Sequence, residues 1–95
     1  MSESGICSWY GEGLPKGALT ANGEHFDPHG MTAAHKHLPF GTHVKVTIGS
    51  HSVTVRINDR GPFVAGRILD VSPVAAEKLG IKGSKGVAHC TVTKV

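Results

Sequence analysis

Two runs of alternating residues constrain this chain more than any other feature. Val44, Val46 and Ile48 alternate with Lys45 and Thr47, and Val53, Val55 and Ile57 alternate with Thr54 and Arg56, on either side of Gly49-Ser50-His51. A period of two places each apolar set on one face of a strand, and a short glycine-containing turn joins antiparallel neighbours. The segment therefore reads as a β-hairpin with one buried face. A lone hairpin is at best marginally stable in water, so the remaining residues must supply further strands.

They contain the material to do so. Ile6 to Tyr10 reads as an opening strand, Arg67 to Val71 (RILDV) as a buried strand, and Val87 to Val95 as a closing one. Thr32 to His35 forms a short strand or a helical turn, ended by Pro39 and Gly41. Ser72 can cap a helix with Pro73 at its first position and Gly80 past its end, which confines it to about Pro73 to Leu79. Thirteen Gly and five Pro among 95 residues suit short strands joined by tight turns. One such turn-rich loop contains Gly11, Gly13, Pro15 and Gly17 and runs into Thr20-Ala21-Asn22-Gly23. Five or six strands with one short helix imply a mainly β domain, a closed or nearly closed barrel spanning residues 1–95, because closure removes exposed edges.

Several function classes are disfavoured. A net charge of +3 is spread along the chain without a basic run, so nucleic acid is not expected as a partner, while weak attraction to an anionic polymer fits. No apolar run approaches the roughly 18 residues of a membrane-spanning helix. The opening Met1-Ser2-Glu3-Ser4 carries no signal segment. Cys7 and Cys90 lie near opposite ends within strand-like segments, where terminal strands can be bridged. The chain is either intracellular or lacks a leader that was removed; a disulfide there favours the removed leader and an oxidising compartment, secreted or cell envelope, with two separate buried thiols as the alternative.

The acids divide into two groups. Glu24, Asp27, Asp59 and Asp70 sit in or beside irregular or buried segments, whereas Glu3, Glu12 and Glu77 read as surface charges. Asp59 ends a strand beside Arg60, Gly61, Pro62 and Phe63, a setting able to hold a carboxylate at a barrel mouth; an Asx-turn or an ion pair with Arg60 is the bland alternative. Asp70 interrupts an apolar strand, and alternation alone leaves its direction open. Four of the seven histidines fall between Glu24 and Gly41, and His35 follows the small residues Thr32-Ala33-Ala34, which let a substrate approach its ring, although a lone histidine is more often a structural hydrogen-bonding residue. His35 and His37 with His25, His29, Glu24 or Asp27 invite a metal, yet no spacing here is as specific as a metalloenzyme motif, so neither metal nor cofactor is expected. Trp9 and Tyr10 face opposite ways in a strand, one into the core and the other either free to stack on a sugar or a packing residue too. Cysteine and serine nucleophiles lack a supporting context.

The strings SWYG, TANGEHFD, MTAAHKHLPFGTHVKV and VRINDRGPFVAGRILDVSPVAAEKLG, in this order, resemble the rare lipoprotein A family over residues 8–95. That resemblance implies a six-stranded double-psi β-barrel, shared with expansins and barwin-like proteins, and a lytic transglycosylase acting on peptidoglycan in the cell envelope. In such enzymes a cleft carboxylate protonates the glycosidic oxygen between N-acetylmuramic acid and N-acetylglucosamine, and the muramyl 6-hydroxyl closes on C1 to give a 1,6-anhydro product. By motif, Asp59 resembles the principal acid/base, with His35, Glu24 and Asp27 as cleft partners. Asp70 resembles the acid on which expansin wall-loosening depends, and Tyr10, Thr32 and Arg60 join it as expected substrate contacts. Stand-alone relatives include non-catalytic barrels, so wall binding or inhibition of a secreted cysteine protease, by a monomer, is the alternative expectation.

Overall fold

The structure is a computed structural model describing residues 2–11, 13–14, 17–83 and 86–95; Glu12 and Pro15 of the glycine-rich loop lie outside the described residues. Its elements run β1 (Ser2–Trp9), β2 (Thr32–Ala34), β3 (His43–Ile48), β4 (His51–Asp59), β5 (Arg67–Val71), α1 (Pro73–Leu79) and β6 (Val87–Lys94). The strands close in the order β1-β5-β2-β4-β3-β6, so the barrel leaves no unpaired edge. β1 runs parallel to β5 and β2 parallel to β4, while the other neighbours are antiparallel.

The expected hairpin is β3 and β4, with Val44 opposite Val55 and Val46 opposite Val53. Gly49 turns the chain at φ 58°, in the region open to glycine. Val44, Val46, Val55 and Ile57 have no exposure and fill the barrel with Leu69, Val71, Ala33 and Val92. Two boundaries differ from expectation. β1 starts at Ser2 because its polar first half pairs with β6, Ser2 opposite Thr93 and Gly5 opposite Cys90, a partnership that leaves no hydrophobic signature. β4 runs past the alternating Val53 to Ile57 stretch through Asn58 to Asp59, because β2 lies alongside them.

Cys7 and Cys90 are disulfide-bonded with Cα atoms 5.8 Å apart, joining β1 to its neighbour β6 inside the barrel. Helix α1 has the expected caps. The Ser72 hydroxyl accepts from the Ala75 amide and donates to the Gly30 carbonyl at 2.7 Å, and Gly80 closes the helix at φ 81°. Ala75, Ala76 and Leu79 seal against the barrel. Among the described residues no helix is long and apolar enough to cross a membrane.

Candidate functional site

Two β-bulges set up the site. In a regular strand Asp59 points the same way as Ile57, into the core. Between β2 and β4, however, Ala33 pairs with Ile57 and Ala34 with Asp59, which leaves Asn58 as an extra residue. The bulge reverses the alternation and turns Asp59 to the outer face with Ala34. On β5 Leu69 and Val71 point inward with no exposure, so Asp70 between them faces outward. A second irregularity, between Ile6 and Cys7 of β1, sets Ser8 opposite Asp70.

The result is a row across four neighbouring strands: Ser8 on β1, Asp70 on β5, Ala34 on β2 and Asp59 on β4. The acids flank Ala34, two strands and so about 9.5 Å apart along the backbone. Ser8 Oγ donates to Asp70 Oδ1. Asp59 is held more fully: Oδ1 accepts the backbone N–H groups of Ala21 and Arg60, each at 2.9 Å, and Oδ2 accepts the Tyr10 hydroxyl at 2.9 Å. Tyr10 thus reaches from the end of β1 over the floor at Ala34. Burial first, and then the charge of Asp59, push its phenol well above the usual tyrosine range, so it stays a neutral donor.

The loop from Thr20 to Glu24 supplies the Ala21 amide. It is folded by the Thr20 amide donating to the Glu24 carbonyl at 2.8 Å and the Gly23 amide donating to the Thr20 carbonyl at 3.0 Å. Glu24 itself accepts from Asn58 Nδ2 at 2.6 Å and Arg56 Nη2 at 2.8 Å. These hydrogen bonds, the Asn58 amide foremost, hold its carboxyl below the usual range. Phe26 tilts against the Tyr10 ring, centroids 5.2 Å apart, and lies so close to Gly11 that any side chain there would strike it.

Other sequence candidates lie elsewhere in the network. Asp27 is exposed and caps its own turn by accepting the His29 amide at 2.9 Å. His35 is 5% exposed, and both ring nitrogens are committed away from the Asp59 carboxyl. Nδ1 accepts the amides of His37 and Leu38, which fixes the proton on Nε2, and Nε2 donates to Glu3 Oε1 at 2.9 Å. Its backbone N–H meets the Asp59 carbonyl at 3.2 Å. Arg60 makes no ion pair with Asp59; its guanidinium donates to the carbonyl of Leu38 at 2.8 Å and of His35 at 3.3 Å, and lies 4.0 Å over the Phe40 ring. Thr32 is buried on β2, and its hydroxyl has no hydrogen-bond partner among the described residues. Trp9 is the inward member of the aromatic pair, packed against the core, while Phe63 is 84% exposed.

Sequence reasoning missed Glu3, read as a surface charge, along with Ser8, Arg56 and Asn58. Asn58 adjoins Asp59 in the NDRGP string and was accessible from it; the polar start of β1 carries no comparable signal for Glu3. Among the described residues no three His, Cys, Asp or Glu side chains converge on a position able to hold a metal.

Comparison with known proteins gives this arrangement a context. The profile of a double-psi barrel family described as lytic transglycolase matches residues 2–92. A probable endolytic peptidoglycan transglycosylase RlpA of Synechocystis is 56% identical over 84 residues, covering 86% of this chain and 26% of the relative. The endolytic peptidoglycan transglycosylase RlpA of Vibrio cholerae is 54% identical over 83 residues, covering 85% of this chain and 31% of the relative. The chain thus spans a quarter to a third of these curated relatives. Among solved structures, the Streptomyces papain inhibitor superposes with a TM-score of 0.78 at 22% identity, covering 100% of this chain and 94% of the inhibitor. An expansin of Clavibacter michiganensis superposes at 0.80 and 21% identity, covering 100% of this chain and 50% of the expansin. Those two likenesses show the shared barrel. The profile and the close relatives together show that the chain belongs to the RlpA-like lytic transglycolase family of double-psi β-barrels.

Proposed function

We propose that this domain cleaves peptidoglycan glycan strands as a lytic transglycosylase, with Asp59 as the principal acid/base. The observation that carries the reading is the pair Asp59 and Asp70 on either side of Ala34 with the Tyr10 hydroxyl on Asp59. Oδ1 of Asp59 is anchored by two backbone amides, which leaves Oδ2 as the working oxygen. A hydroxyl both donates and accepts, so Tyr10 can keep its bond to Oδ2 whether or not that oxygen carries a proton. The Asp59 proton passes to the glycosidic oxygen and the bond from that oxygen to C1 breaks. The muramyl 6-hydroxyl then bonds to C1 and returns its proton to Asp59, so no water is consumed. Asp70 supplies negative charge beside the cationic character that develops at C1.

Glu24 and His35 act on Asp59 as positioning residues. Glu24 holds Asn58, the residue before Asp59, and His35 fixes the loop beside it. Asp27 shapes the turn that follows Phe26. The disulfide supports an oxidising envelope location, and the closed barrel supports a single domain acting as a monomer.

A second reading is a non-catalytic barrel that grips wall polysaccharide or inhibits a cysteine protease. The commitment of both His35 ring nitrogens within the fold favours it, since that histidine is then no proton carrier for a substrate. Digestion of purified peptidoglycan with analysis of the products by mass spectrometry separates the two. Anhydro-muropeptides made by the wild type and lost in Asp59→Asn support the enzyme. Their absence, or equal yields from both proteins, sinks it, and retention on insoluble wall or inhibition of papain then supports the alternative.

A further inference from the structure

Apart from the acid row, the fold has a pocket of about 330 Å³ between the segment after β1 and helix α1, lined by Gly11, Leu14, Pro28, Val74, Glu77 and Lys82 among others. Its volume lies within the range of small-molecule sites, at the lower end. The pocket is built into the fold. The Val74 amide donates to the Pro28 carbonyl at 3.2 Å and Ser72 ties the helix start to Gly30, so the helix wall is fastened to the segment that carries Pro28.

The pocket and the acid row share a wall. Gly11 directly follows Tyr10, whose hydroxyl binds Asp59, and Phe26 packs against both Tyr10 and Gly11. Pro28 lies two residues beyond Phe26 on the pocket side. A chain-like ligand lying over the acid row can therefore continue past Tyr10 into this hollow.

We infer that the pocket is a subsite for one acetamido sugar of the same glycan strand, beyond the residue being cut. This rests on the glycan-cleaving reading above and specifies how such a strand is held. Leu14, Pro28, Pro73 and Val74 provide apolar surface of the kind that covers the C–H face of a pyranose and the methyl of an N-acetyl group. Gly11 and Gly13 contribute backbone rather than side chain to the lining beside Leu14. Among the described lining residues Glu77 and Lys82 bring one charge of each sign and His29 an imidazole, groups able to hydrogen-bond a hydroxyl-rich ligand. The volume admits a sugar residue with its substituent and excludes a bulky second chain.

Amide chemical shifts of the whole chain, followed by NMR during titration with tri-N-acetylchitotriose, test this. The expected result is movement of the Gly11, Leu14 and Val74 resonances. Val74→Trp, which fills the hollow from the partly exposed second position of α1, should weaken the response about tenfold. Its Ala21 and Arg60 amides should stay at wild-type positions, which shows the acid row intact; Leu14→Ala provides a second, milder probe of the same wall. Movement confined to Ala21 and Arg60 overturns the subsite while leaving the glycan reading in place. Equal binding of deacetylated chitotriose overturns the acetamido assignment. No movement anywhere overturns the subsite, and only if peptidoglycan digestion also yields no anhydro products does the glycan reading fall with it.

Discussion

The Tyr10 hydroxyl donates to Oδ2 of Asp59 at 2.9 Å, joining the strand that opens the barrel to the one that carries the proposed acid/base. Nothing else holds Oδ2 among the described side-chain contacts, whereas Oδ1 has two backbone donors. Tyr10→Phe should therefore leave the carboxyl in place but lose control of its working oxygen. The expected outcome is a fall in kcat of about 10- to 100-fold with KM changed much less. A change confined to KM would instead mark Tyr10 as a sugar contact alone.

Tyr10 is the only tyrosine in the chain, so its ionisation can be read directly. Burial and the negative charge of Asp59 raise its pKa, so a spectrophotometric titration should show the phenol resisting ionisation beyond the ordinary value of about 10. A raised folded-state pKa stabilises the fold fully below the unfolded value and loses that contribution as pH rises through the folded one. Stability should thus decline in strongly alkaline solution, and Asp59→Asn should bring the phenol's titration back toward the ordinary range. An ordinary titration in the wild type would contradict the burial of this contact.

Asp70 provides a contrast with Asp59. Its side-chain contact among the described residues is the Ser8 hydroxyl, and none of their backbone amides donates to its oxygens. If its role is the charge beside C1, Asp70→Asn should lower kcat by about 10²-fold or more, a loss that Ser8→Ala reproduces only in small part. Full activity in Asp70→Asn would confine the chemistry to Asp59.

The barrel was legible in residues that obey one period. Val44 to Ile57 gave the hairpin, and Ser72, Pro73 and Gly80 bounded the helix, because alternation and capping are local. The site was legible mainly as a list of residues. Asp59 lies in the row through the extra residue Asn58, and a bulge is a property of two strands that no single strand records. Asp70 takes the outward of the two directions that alternation left open, and lies partly buried beside Ser8. His35, open to a structural hydrogen-bonding role as well as to a place in the cleft, is tied to Glu3, a residue 32 positions away. That pairing depends on the strand order β1-β5-β2, which brings the start of β1 toward the end of β2 across β5.

The disulfide closes a sequence separation of 83 residues. In the chain-entropy description this constrains the unfolded state by about 4.5 kcal/mol, a large share of the roughly 5–15 kcal/mol that stabilises a typical domain. Reduction, or the Cys7→Ser and Cys90→Ser pair, should lower Tm by about 15 °C or more at neutral pH. A shift of only a few degrees would show that the unfolded chain is already restricted by other means.

Arg60 distinguishes a substrate contact from an internal clamp. Its guanidinium donates to the Leu38 and His35 carbonyls and stacks on Phe40, so it binds the segment after β2 to the residue that follows Asp59. Lysine keeps the charge but has neither the planar fork nor the stacking face. Arg60→Lys should cost about 1–2 kcal/mol in stability through the lost hydrogen bonds and ring contact. It should also loosen the amides of His37 and Leu38, which hydrogen exchange reports. Activity should fall with them, since the Arg60 amide is one of the two backbone anchors of Asp59 Oδ1. If Arg60 instead held the glycan from the surface, the same variant would raise KM while Tm and the exchange of His37 and Leu38 stayed at wild-type values.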